Sequence, residues 1–205
     1  MKTSRKLYQT VALCTFLLTT VSCGESPSIQ GNPNELITTL TLTFLPASSG
    51  PAITATLNDP DGDGGNPQTI EPIVLSAGMY DLQLKFENRL ENPPEDINAE
   101  ISGEGDEHQV FFTGTAVSGP ASNQANAPLA HSYADIDSKG LPLGLQNKVV
   151  AAAGTGALTV SLRHMPPLND MPVKTASVGQ TVQSGGIEAL GGGTDLQANF
   201  TVTVN

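Results

Sequence analysis

Residues 80–87 read Tyr80-Asp81-Leu82-Gln83-Leu84-Lys85-Phe86-Glu87, with an apolar side chain at every second position and a polar or charged one between. Successive side chains of a strand leave opposite faces, so this period of two predicts a strand with one buried face and one wet face. The same pattern lies on either side. Leu40, Leu42 and Phe44 alternate with Thr39, Thr41 and Thr43, and Ile53, Ala55 and Leu57 with Thr54 and Thr56. Leu158, Val160 and Leu162 alternate with Thr159, Ser161 and Arg163. Leu196, Ala198, Phe200, Val202 and Val204 alternate with Gln197, Asn199, Thr201 and Thr203. Weaker strand patterns at 69–76, 109–113, 129–136 and 145–152 are separated by Gly, Pro, Asn and Asp. About eight or nine strands with one-sided burial predict an all-β fold, an antiparallel β-sandwich of immunoglobulin-like kind. One short helix is predicted over 94–102: Pro93-Pro94 opens it, Ile97 and Ile101 lie one turn apart, and Gly103 closes it. Residues 171–193, rich in Gly, Ser, Thr and Gln, are expected to be mostly loop.

Composition agrees with short strands and turns. The 205 residues include 21 Gly and 15 Pro, no Trp, and only 4% aromatic residues. Nine Lys and Arg against 20 Asp and Glu give a net charge of -11, the wrong sign for neutralising phosphate backbones. Nucleic acid is therefore not an expected partner.

The first 22 residues read as an address. Lys2, Arg5 and Lys6 precede an apolar run from Val11 to Val21, which ends at Ser22 before Cys23. That is the order of a signal peptide, and the run is well short of the roughly 20 residues a membrane-spanning helix needs. Thr20-Val21-Ser22-Cys23 is similar to the lipobox of bacterial lipoproteins, with Thr20 where Leu is usual, which implies cleavage before Cys23 and its acylation. Cys14 falls in the removed run, so Cys23 would be the only mature thiol and no disulfide is expected within the mature chain. The acidic mature chain repels anionic membrane surfaces, so the partnership with the membrane rests on the lipid anchor. Gly24 to Asn34, GESPSIQGNPN, reads as a flexible tether with a reach of about 18 Å. The expected organisation is thus 1–22 signal peptide, 23–34 tether and 35–205 a single β domain.

Glu35-Leu36-Ile37-Thr38-Thr39, the Asp59 to Gly65 turn, Asp106-Glu107-His108-Gln109, Leu141-Pro142-Leu143-Gly144-Leu145 and Leu162-Arg163-His164 follow one another in that order. With these motifs the chain resembles a family of small uncharacterised bacterial lipoproteins. Members are often assigned a type 1 periplasmic-binding fold, which alternates strands and crossover helices around parallel sheets. Only one helical pattern follows Glu35 here, where several would be needed. The resemblance therefore implies an address in the cell envelope and a domain extent, while the alternation carries the fold.

Two acidic turns and two histidines are the candidate sites. Asp59-Pro60-Asp61-Gly62-Asp63-Gly64 spaces Asp59, Asp61 and Asp63 as a calcium loop does, yet the twelfth position is Ile70 and the flanks are strand-like. A turn with Asp side chains bonding nearby N–H groups explains the same residues, and only weak cation binding is expected. Asp135-Ile136-Asp137-Ser138-Lys139-Gly140 reads as a turn. Before it, His131, Tyr133 and Asp135 share a parity and are expected on a solvated face. His108 shares parity with Val110 and Phe112, and His164 with Val160 and Leu162, so both are expected to point inward. Each then either bonds a nearby carboxylate or carbonyl, or joins Glu104, Asp106 or Glu107 in a zinc site. The shared site requires the two rings within about 10 Å, since zinc holds nitrogen at about 2.0–2.1 Å.

No GxSxG, HExxH, phosphate-binding loop or complete GxGxxG occurs in the chain. The expected function is a non-enzymatic binding or interaction module, anchored to the outer membrane at its periplasmic or surface face and meeting an envelope protein or receptor. The alternatives are a metal-dependent hydrolase or carbohydrate-active domain, and a cation-binding periplasmic accessory protein with calcium or zinc as cofactor.

Overall fold

The computed structural model describes residues 36–62 and 64–205. The expected signal peptide, Cys23, the tether and Asp63 lie outside the described residues. In chain order the strands are β1 (Thr39–Pro46), β2 (Ile53–Asn58), β3 (Thr69–Ile70), β4 (Ile73–Leu75), β5 (Gly78–Asn88), β6 (Glu95–Asp96) and β7 (His108–Thr113). They continue with β8 (Val117–Gly119), β9 (Ser122–Asn123), β10 (Leu129–Tyr133), β11 (Gln146–Ala151), β12 (Gly154–His164) and β13 (Gly193–Val204). Two helices, α1 (Asn98–Gly103) and α2 (Val178–Gly185), complete the elements together with a short 3-10 turn at Ile187–Ala189.

Two sheets result. The larger has the order β3-β2-β1-β5-β11-β10-β8-β9 with β6 beside β5, and the smaller has the order β4-β13-β12-β7. Pairing is antiparallel except for the short parallel contacts of β10 with β8 and β13 with β4. Alternation drives this arrangement. Leu42 faces Ala55 on one side and Leu84 on the other, and Leu40 faces Leu57 and Phe86. In the smaller sheet, Leu158 stands opposite Phe200, and Val160 opposite Phe112. These inner faces share one apolar core, which gives the all-β, sandwich-like fold that the alternation predicts.

The strand count exceeds the expectation because β3, β6 and β9 have two residues each, too few to show a period. The 69–76 segment is divided: β3 joins the larger sheet and β4 the smaller, on either side of Pro72, whose nitrogen has no hydrogen to donate. The predicted helix begins at Asn98 and not at Pro94, because Glu95 and Asp96 pair with β5 first.

The largest correction concerns 171–193. This stretch is not mostly loop; it contains α2, whose Val178 and Val182 pack with Phe111, Ala121, Met165 and Leu190 in a second apolar cluster. The cluster covers the outer face of the smaller sheet. Ser161 and Arg163, expected on a wet face, are consequently buried. The guanidinium of Arg163 donates to the carbonyls of Leu190 (2.9 Å) and Gly192 (3.1 Å) and to Thr194 Oγ1 (2.7 Å), tying this layer to β12.

His131 and Tyr133 also depart from expectation. Their shared parity is right but the face is reversed, since Leu129 and His131 are buried on that side and Tyr133 is half-buried against the core. His131 packs on Phe112 with ring centroids 4.2 Å apart, and the Tyr133 hydroxyl donates to the Val110 carbonyl at 2.8 Å. The outer edge of β7 is thereby closed, because Val110 N–H also donates to the Leu143 carbonyl at 2.8 Å. Glu87, another residue expected in water, is buried between Lys85 (2.6 Å) and Arg89 (2.8 Å).

Candidate functional site

In an antiparallel sheet, the start of one strand lies beside the end of the next. β7 begins at His108 and β12 ends at His164, and the register makes these two residues direct partners. Their rings stack with centroids 4.5 Å apart and planes 8° from parallel. The inward direction expected from parity holds for His108, which is 1% exposed, while His164 is half-buried.

The third strand contributes an unexpected group. Leu162 pairs with Leu196, but Arg163 pairs with Thr194, so Asp195 is the extra residue of a β-bulge on β13. Its side chain is only 5% exposed, and Oδ2 lies 3.9 Å from His108 Nε2, beyond hydrogen-bonding distance. That oxygen is buried with no hydrogen-bond partner. Sequence reading overlooked Asp195 because a bulge adds one residue and breaks the parity that picks out inward positions.

The turn after α1 supplies the remaining carboxylates. The Glu104 carbonyl is 3.3 Å from His108 Nδ1, and Glu107 Oε2 is 3.4 Å from His164 Nε2. Glu104, His108 and His164 each offer a ligand atom such that all lie within 4.8 Å of one another. Asp106 is drawn elsewhere, onto Lys139 at 2.8 Å. Burial, reinforced by the neighbouring His164, pushes the His108 pKa down to about 4, so the ring is neutral at pH 7. Burial pushes Asp195 up to about 6 against the opposing pull of His164 and Arg163.

Among the described residues the acidic turns are laced by side-chain hydrogen bonds, while Asp61 Oδ1 is buried with no hydrogen-bond partner. Asp59 Oδ1 accepts from Asp61 N–H (3.3 Å) and Oδ2 from the Gln68 amide (2.9 Å). Asp61 Oδ2 accepts from the backbone and side-chain nitrogens of Asn66 at 3.2 and 2.7 Å. Asp135 accepts three backbone N–H groups, from Gly144, Leu145 and Gln146, at 2.8–2.9 Å. Asp137 accepts from Lys139 and Leu141 N–H at 2.8 Å and from Lys174 Nζ at 2.7 Å. Lys174, whose side chain is fully buried, donates also to the Gly105 carbonyl at 2.6 Å. Burial holds its pKa below the usual lysine range, although Asp137 opposes the shift. Lys174 thus joins the 171–193 layer to the turn that carries Glu104 and Glu107.

No family model, curated protein or solved structure matches this chain.

Proposed function

We propose that the chain is a cell-envelope lipoprotein, acylated at Cys23, whose β domain is a non-enzymatic binding module held at the outer membrane for an envelope protein or receptor. The observation that carries this reading is the Thr20-Val21-Ser22-Cys23 segment after an apolar run, followed by eleven polar residues before Glu35. β1 begins at Thr39, so a few residues beyond the tether separate it from the sheet. Among the described residues no helix is long and apolar enough to cross a membrane.

Metabolic labelling with a fatty acid, comparing wild type with Cys23→Ser, tests the anchor. Label and membrane association should both be lost in the variant; equal label in both would remove the lipoprotein reading. Crosslinking in intact cells followed by capture of the full chain tests the binding role.

A second reading, a metal-dependent hydrolase, is favoured by the convergence of Glu104, Glu107, His108, His164 and Asp195 at one end of the smaller sheet. Metal-dependent turnover of ester or glycoside substrates that disappears in Glu107→Gln would select it over the binding module.

A further inference from the structure

We propose that Glu104, His108 and His164 form a binding site for a divalent transition metal of the zinc class, with the buried Asp195 carboxylate beside His108 Nε2 as a further acidic group facing the ion. The inference goes beyond the lipoprotein reading and does not depend on acylation.

Geometry carries the first step. Tetrahedral zinc, with bonds of about 2.0–2.2 Å to nitrogen and oxygen, holds its ligand atoms about 3.3 Å apart. The three donor atoms already lie within 4.8 Å of one another, so closure requires movement of about 1.5 Å at most. The fixed member is His108, buried at the first position of β7. Glu104 and His164 are only partly buried, one in the turn after α1 and the other at the last position of β12, where side chains can turn. The rings stack with centroids 4.5 Å apart, so a turn of the His164 side chain brings its lone pair toward the same point as that of His108. Such a rotation exchanges the 3.4 Å contact with Glu107 for a metal bond.

Asp195 supplies an independent observation. A histidine that ligates through one ring nitrogen characteristically donates the other N–H to a carboxylate or carbonyl, which fixes its tautomer. His108 Nδ1 lies 3.3 Å from the Glu104 backbone carbonyl, which only accepts, so Nδ1 carries the proton and the Nε2 lone pair faces Asp195 Oδ2 at 3.9 Å. A metal on Nε2 then lies beside Asp195 Oδ2, a buried oxygen with no hydrogen-bond partner, at a spacing close to the about 3.3 Å between two zinc ligand atoms. The Glu104 carbonyl fixes the tautomer, and the ion offsets the buried carboxylate's charge. The donor set also selects the metal: two imidazoles and a carboxylate suit zinc, nickel or copper(II), while calcium and magnesium prefer all-oxygen shells.

The test is calorimetric titration of the purified full chain in detergent with zinc chloride and, separately, calcium chloride. The expected result is one zinc per chain and no calcium heat attributable to this site. Cobalt(II) should give the visible absorption of a tetrahedral nitrogen and oxygen site. Asp195→Asn removes the carboxylate charge that faces the ion and should weaken zinc by about 10–100-fold. His164→Gln and Glu104→Gln should weaken it further, while Asp61→Ala leaves it unchanged. Because His108→Ala opens a hole in the core, the two variants at partly buried positions decide the matter, each checked for native circular dichroism. Absence of zinc binding by wild type at millimolar metal, or unchanged affinity in both His164→Gln and Glu104→Gln, would overturn the proposal.

Discussion

Lys174 and His131 illustrate how single residues hold this domain together. Replacing Lys174 by Met leaves Asp137 buried with its negative charge unpaired, and the expected loss is about 3–5 kcal/mol in denaturant unfolding. Adding Asp137→Asn removes that charge while keeping an oxygen for Lys139 and Leu141 N–H, so the double variant should recover much of the loss. His131 makes stability depend on pH. Its Nε2 is 2.9 Å from Asn147 Oδ1, whose amide nitrogen donates to the Gly144 carbonyl, so the imidazole is neutral and donates through Nε2. Burial lowers its pKa from 6.5 to about 4. Between those values the unfolded chain binds a proton that the folded chain does not, so stability falls as pH drops from about 6.5 toward 4. The contribution is on the order of 3 kcal/mol, and His131→Gln should flatten the slope of unfolding free energy against pH in that window. Neither role was legible in sequence. Lys174 is the only cation between Met171 and Gly193, but nothing local reports that its partner lies near Gly140.

At the level of elements, one-sided burial was readable and two-sided burial was not. β1 and β5 alternate cleanly because water wets one face, and their inward residues follow from a period of two. In β7 every residue from His108 to Phe112 is buried, with Phe111 facing α2 while Val110 and Phe112 face the main core. α2 itself was concealed by Gly179, Gly185 and Gly186, although Val178 and Val182 stand one turn apart. The histidine pair was legible in part: parity aimed both rings inward, but the pairing of β7 with β12 is a tertiary fact. Truncating Val182 to Ala removes two buried methyl groups and should cost about 1–2 kcal/mol. Loss should concentrate in the outer layer, so limited proteolysis is expected to cut within 171–191 of this variant sooner than in wild type.

On the scale of the whole domain, a single apolar core joins both sheets, and damage at its centre should be felt throughout. Leu84, opposite Leu42 and 3% exposed, is such a position. Leu84→Ala is expected to lower unfolding free energy by about 2–5 kcal/mol, against less than about 0.5 kcal/mol for exposed Gln83→Ala on the same strand. Far-ultraviolet circular dichroism of the wild type should be dominated by strand. The borders of the two sheets have a separate bearing on the membrane anchoring proposed above. The larger sheet terminates in the two-residue strands β3 and β9. In the smaller sheet, β4 has three residues and the side of β7 is occupied by Leu143 and the Tyr133 hydroxyl. Tethering crowds molecules into a thin layer, where a long bare strand would template pairing with its neighbour and seed aggregates. β4 pairs only with Val202–Val204 of the twelve-residue β13, so the short or capped borders are those of β3, β9 and β7, and for the anchored form proposed above they limit that template.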